Sequence, residues 1–143
     1  MADQPADRSG RLIRVIYAIC LLAATLDHAS VLVLHGVFWN YGGSPLATVI
    51  FWTGLTVADP LAAALLFFRP RRGVILTVVI IVADVVHNIL FAAIDLHAHP
   101  APFHPLDYWQ VALQVAFMVF VLVTARIAWP GAPLSDPKPV GST

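Results

Sequence analysis

A chain of 143 residues has room for one domain, and this one is 59% hydrophobic and only 11% charged, with a mean hydropathy of +0.83. Soluble domains average about 45–50% apolar and about 25% charged residues, so the composition points to a membrane rather than to water. The formal net charge is zero, and with a single cysteine, Cys20, an intrachain disulfide and a thiol redox pair are excluded.

Residues 1–10 are polar and predict a frayed N-terminal tail. Arg11 and Arg14 then border a first apolar run over 15–34. A signal peptide competes for this stretch, because Arg8, Arg11 and Arg14 precede the apolar residues 15–26. Asp27-His28-Ala29-Ser30 offers no small-x-small cleavage site, however, and apolar residues resume at Val31. An uncleaved first membrane helix is therefore expected. The aromatics Phe38, Trp39 and Tyr41 close it at an interface, and Gly42-Gly43-Ser44-Pro45 makes the turn.

The second run, 47–68, contains Asp59-Pro60. Pro60 has no N–H for the carbonyl of Thr56, so a kink is expected there. Arg69-Pro70-Arg71-Arg72-Gly73 is a tight basic turn into the third run, 73–94. Residues 97–105 form the longest internal connection, rich in Pro and carrying His97, His99 and His104. Tyr108-Trp109 anchors the fourth run, which ends about Ala128, and residues 130–143 have the composition of a disordered tail. Spans of about 20 apolar residues cross a bilayer. The expectation is an all-α, integral membrane four-helix bundle over 11–129, with tails at 1–10 and 130–143.

Basic residues set the topology. All eight lie in three places: Arg8, Arg11 and Arg14 before the first span, Arg69, Arg71 and Arg72 between the second and third, and Arg126 and Lys138 at the end of the fourth and beyond. The positive-inside rule then puts both termini in the cytoplasm and the connections around Gly43 and His99 outside. The expected location is the plasma (inner) membrane of a bacterium.

Polar residues inside the spans fall at one depth. At about 1.5 Å per residue, Asp27 lies about 20 Å above Arg14 and Asp59 about 15 Å above Arg69. Asp84 lies about 18 Å above Arg72 and Gln114 about 18 Å above Arg126. His28 and His87 follow at about 21 and 22 Å, with Asn88 and Gln110 at about 24 Å. Asp84, His87 and Asn88 share a helix face at i, i+3 and i+4; Trp52, Thr56 and Asp59 share another, as do Gln110 and Gln114. Asp27 and His28 are adjacent, about 100° apart, so only one of them can point to the bundle axis. One inward-facing cluster, with an acid or amide from each helix, is expected.

The slab holds three carboxyl groups and no Lys or Arg. Protons, His28 or His87, amides, a cation or water must satisfy them, and such groups in a membrane usually mark a function. The first reading is a site that binds or relays protons, a metal ion or a small cation. Asp84, His87, Asp27 and Asp59 would do the chemistry, while His28, Asn88, Gln110, Gln114 and Trp52 would hold the ligand. His28 and His87 are the candidate metal ligands, and His35, His97, His99 and His104 would add ligands at the outer mouth. Haem between His28 and His87 is disfavoured by the acids beside both.

The second reading is a membrane-embedded acid–base enzyme of isomerase, cyclase or hydratase type, acting on a lipid-like substrate. The third is a non-catalytic accessory subunit. The bilayer is the expected partner; a homo-oligomer or larger membrane complex is implied for a transporter this small. Without a basic patch, a nucleotide loop or zinc-finger spacing, no nucleic-acid partner is expected.

Overall fold

A computed structural model describes residues 5–37, 39–98 and 109–131. It is all-helical, with α1 (Pro5–His35), α2 (Leu46–Phe68), α3 (Pro70–Ala98) and α4 (Trp109–Ala128). Each helix is long and apolar enough to cross a membrane. Large apolar side chains cover the outside, among them Leu26, Val33, Val57, Phe68, Leu113 and Val123. In water such a surface would be costly, whereas against lipid tails it is not.

Two helix ends differ from expectation. Residues 5–10 belong to α1 rather than to a frayed tail. Proline suits the first helical position, and the turn at Gly10 packs on α4. A Cβ at Gly10 would lie 2.7 Å from the carbonyl oxygen of Ile127. At the other end, α3 extends to Ala98, so His97 is helical rather than part of the Pro-rich connection. Residues 132–143 of the expected C-terminal tail lie outside the described residues.

The helices pack as a ring: α1 on α2, α2 on α3, α3 on α4, and α4 back on α1. Side-chain pairs give the directions. Arg14 near the start of α1 reaches Ala128 at the end of α4, and Phe51 early in α2 meets His87 late in α3. Neighbours are therefore antiparallel, in up-down-up-down order.

The arginine-bearing end of the bundle is closed. Tyr17, Leu66, Val74 and Val121 are fully buried there. The Tyr17 hydroxyl lies 3.0 Å from the carbonyl of Val121 and 2.7 Å from Thr124 Oγ1, which itself donates to the carbonyl of Phe120. Arg14 is buried and donates through Nη1 to the carbonyl of Ala128 at 2.8 Å. A cation on the last free carbonyls of a helix satisfies them and offsets the negative end of its dipole.

Arg69 alone separates α2 from α3; its N–H returns to the carbonyl of Leu65, and the N–H of Gly73 to the carbonyl of Arg69. Gly73 is required here, because a Cβ would come within 2.6 Å of the backbone of Leu65 and Leu66. At the opposite end α1 stops at Gly36, in the left-handed conformation that ends many helices (φ 87°). Tyr41, Gly42 and Gly43 continue with positive φ before Pro45 opens α2.

Candidate functional site

α2 and α3 are apolar along most of their length, and their polar exceptions meet where the two helices face each other. Asp59 of α2 is 2% exposed and Asp84 of α3 is 6% exposed. The antiparallel register that pairs Trp52 with Asn88 puts Asp59, seven residues from Trp52, and Asp84, four from Asn88, within about 5 Å of the same depth. One turn beyond Asp84, Asn88 ties three helices together. Its Nδ2 donates to Asp84 Oδ1 at 2.9 Å and to Gln114 Oε1 of α4 at 3.0 Å. Its Oδ1 accepts from Trp52 Nε1 of α2 at 2.9 Å. Both amide hydrogens and the amide oxygen are thus in use, which fixes the amide's orientation.

Aromatic rings roof this network. His87 stacks on Phe51, with centroids 4.3 Å apart and planes at 26°, and meets the edge of Trp52 at 5.9 Å. Trp52 also packs on Phe91 and Tyr41, and Tyr41 continues through Trp39 to His35. Four side-chain atoms in this region are buried without a hydrogen-bond partner: His87 Nε2, Tyr41 Oη, Thr53 Oγ1 and Thr56 Oγ1. Buried polar atoms are seldom left unpaired, so the site has hydrogen-bonding capacity in reserve. Beside it an open cleft of about 530 Å³ runs between α3 and the turn before α2, lined by Tyr41, Ser44, Thr48, His87, Phe91 and Asp95 among others.

The residues expected to gather do so only in part. Asp59, Asp84, Asn88, Gln114 and Trp52 come together, with His87 beside them. Asp27 does not: it is exposed on the outer face of α1, while His28, one step of about 100° further round, is half-buried. Gln110 is exposed at the start of α4, one turn before Gln114. The polar layer is therefore built by α2, α3 and α4, and not by all four helices.

Of the outer-mouth histidines, the two that are described do not meet. His35 is exposed and stacked on Trp39 at 4.1 Å, and His97 is exposed near the end of α3. His99 and His104 lie outside the described residues. Among the described residues no group of three or more His, Cys, Asp or Glu side chains is placed to hold a metal ion. His28 and His87 sit on α1 and α3, which are diagonal in the ring. α2 runs as one helix across 46–68 with Pro60 inside it, and the hydroxyl of Thr56, whose carbonyl Pro60 cannot serve, is one of the unpaired atoms.

Tyr41 and Thr48 were not among the expected site residues. The available signal was the run Tyr41-Gly42-Gly43, where two glycines let the chain turn sharply enough for the aromatic before them to fold back over Trp52. No known protein-family model matches the chain, and comparison with curated proteins and with solved structures finds no significant match to either.

Proposed function

We propose that this chain is a polytopic protein of a bacterial plasma membrane, with both termini cytoplasmic, that binds a proton or a small cation at the Asp59–Asp84 pair. The cleft beside His87 would admit it from the outer side. The observation that carries this reading is the burial of two carboxyls, Asp59 and Asp84, on facing helices, where the hydrogen bonds at this level come from amide and indole groups and, among the described residues, from no Lys or Arg. Two buried acids without a fixed cation need a mobile positive charge, and a proton or a cation is the simplest. Tyr17, Leu66, Val74 and Val121 pack the bundle between the pair and the arginine end. That closure favours binding from one side over passage through the molecule.

Two measurements on purified protein in lipid test the proposal. Infrared difference spectra across a pH step should contain a carboxylic-acid carbonyl band that is lost in Asp59→Asn and in Asp84→Asn. Alternatively, sodium, potassium or tetramethylammonium should raise the melting temperature of the wild type but not of either variant. If Asp59→Asn/Asp84→Asn folds and responds as the wild type does in both measurements, the pair is not the site.

The cleft itself supports a second reading, an acid–base enzyme acting on a lipid-like substrate. Leu90 and Ile94 on its wall are 57% and 68% exposed, so an apolar molecule in the bilayer has lateral access to His87. A co-purifying lipid or isoprenoid that the wild type converts and Asp84→Asn leaves intact would favour this enzyme.

A further inference from the structure

Asp27 is exposed about 20 Å above Arg14 and about 12 Å below His35, so its short side chain cannot reach either membrane surface. Long Lys and Arg side chains escape from such depths by stretching to the interface, but an aspartate cannot. A carboxyl facing hydrocarbon there is among the costliest placements in a membrane. Ala23, Asp27 and Ser30 are all exposed and, at i, i+4 and i+7, form one stripe on the outer face of α1. The Ser30 hydroxyl donates to the backbone carbonyl of Asp27 at 2.7 Å, which leaves its own lone pairs open.

We propose that this stripe is where a second copy of the chain docks, α1 against α1, with Asp27 of each copy hydrogen-bonded to Ser30 of the other. The stripe is self-complementary. A hydroxyl can accept from a carboxyl or, after rotating away from its backbone acceptor, donate to it, so the pair works in either protonation form. A two-fold axis along the membrane normal brings the two stripes together at the same depth. Asp27 and Ser30 are then offset by about 4.5 Å along the helix, within side-chain reach. Ala23, one turn below Asp27, lets the two backbones approach closely, as small residues do in membrane interfaces. The chain's Lys and Arg lie at the helix ends and beyond, so no Lys or Arg of a second copy reaches this depth. The acid–hydroxyl exchange is what one copy can offer another. The proposal rests on the membrane-spanning reading but not on the Asp59–Asp84 pair, so each can fail without the other.

Disulfide cross-linking of the full chain in its native membrane tests it, in a Cys20→Ser background. Ala23→Cys should oxidise to a covalent dimer of twice the chain mass, whereas Val119→Cys, exposed at a comparable depth on α4, should not. Adding Asp27→Leu to Ala23→Cys should cut the dimer yield about tenfold, the scale of interhelical hydrogen bonds in a membrane, and Ser30→Ala should cut it in the same direction. Asp27→Leu removes a lipid-facing carboxyl, so a monodisperse elution peak is expected and separates lost docking from lost folding. Equal cross-linking of Ala23→Cys and Val119→Cys, an adduct with a different protein, or a dimer yield indifferent to Asp27→Leu would each overturn the proposal.

Discussion

Asn88 divides one amide among Asp84, Gln114 and Trp52, and so holds α2, α3 and α4 at one point. Interhelical hydrogen bonds in membranes are individually modest, but deleting this amide orphans three polar groups in a place without bulk water. Asn88→Leu, which keeps the branch at Cγ but neither polar atom, should therefore lower stability by about 2–4 kcal/mol, measured as a fall in the unfolding midpoint in mixed detergent. A loss within about 0.5 kcal/mol, the range of an ordinary surface substitution, would mean that the three partners find water or one another. At this scale the sequence was informative where polarity was rare. Asp84, His87 and Asn88 stand out because nearly everything around them is apolar, and their i, i+3, i+4 spacing fixes a shared face. It was silent on Asp27 against His28, since either residue suits the axis and only the rotation of α1 decides. For Tyr41 only the two glycines after it gave a signal, because no periodicity constrains a residue in a turn.

Helices as units follow from hydropathy, since each run of about 20 apolar residues becomes one span. Their ends do not follow so well, because capping and contact with a neighbour outweigh polarity there. The polar residues 5–10 are helical where Gly10 meets α4, and His97 is helical although it adjoins a Pro-rich segment. The α2–α3 junction is the tightest of these contacts. Three backbone atoms of Leu65 and Leu66 occupy the space a Cβ on Gly73 would need, and backbone cannot move aside as a flexible side chain can. Gly73→Ala should push the two helices apart at their shared end and cost about 1–3 kcal/mol, the usual penalty for overpacking. The same substitution at Gly54, where a Cβ meets nothing within 4 Å, should instead be neutral or stabilising by up to about 1 kcal/mol. Parallel unfolding midpoints for the two variants check the contrast; equal midpoints would refute it.

At the scale of the whole molecule, the asymmetry of charge, closure and polarity runs along one axis. The basic residues of the spans and of the α2–α3 junction lie at the end closed by Tyr17, Leu66 and Val121, while the cleft, the aromatic roof and the buried acids lie towards the other. Basic residues remain on the cytoplasmic side during insertion, so the cleft should open outward and the closed end should face the cytoplasm. Single cysteines in a Cys20→Ser background make this measurable. Asn40→Cys is exposed in the turn after α1 and should react with a membrane-impermeant maleimide on intact cells. Ser9→Cys is exposed at the opposite end and should react only after the membrane is opened. The reverse pattern would turn the molecule over, and a ligand entering through the cleft would then come from the cytoplasm. Labelling of both positions on intact cells would contradict a single orientation, and with it the alignment of the basic residues on which the inward and outward ends were assigned.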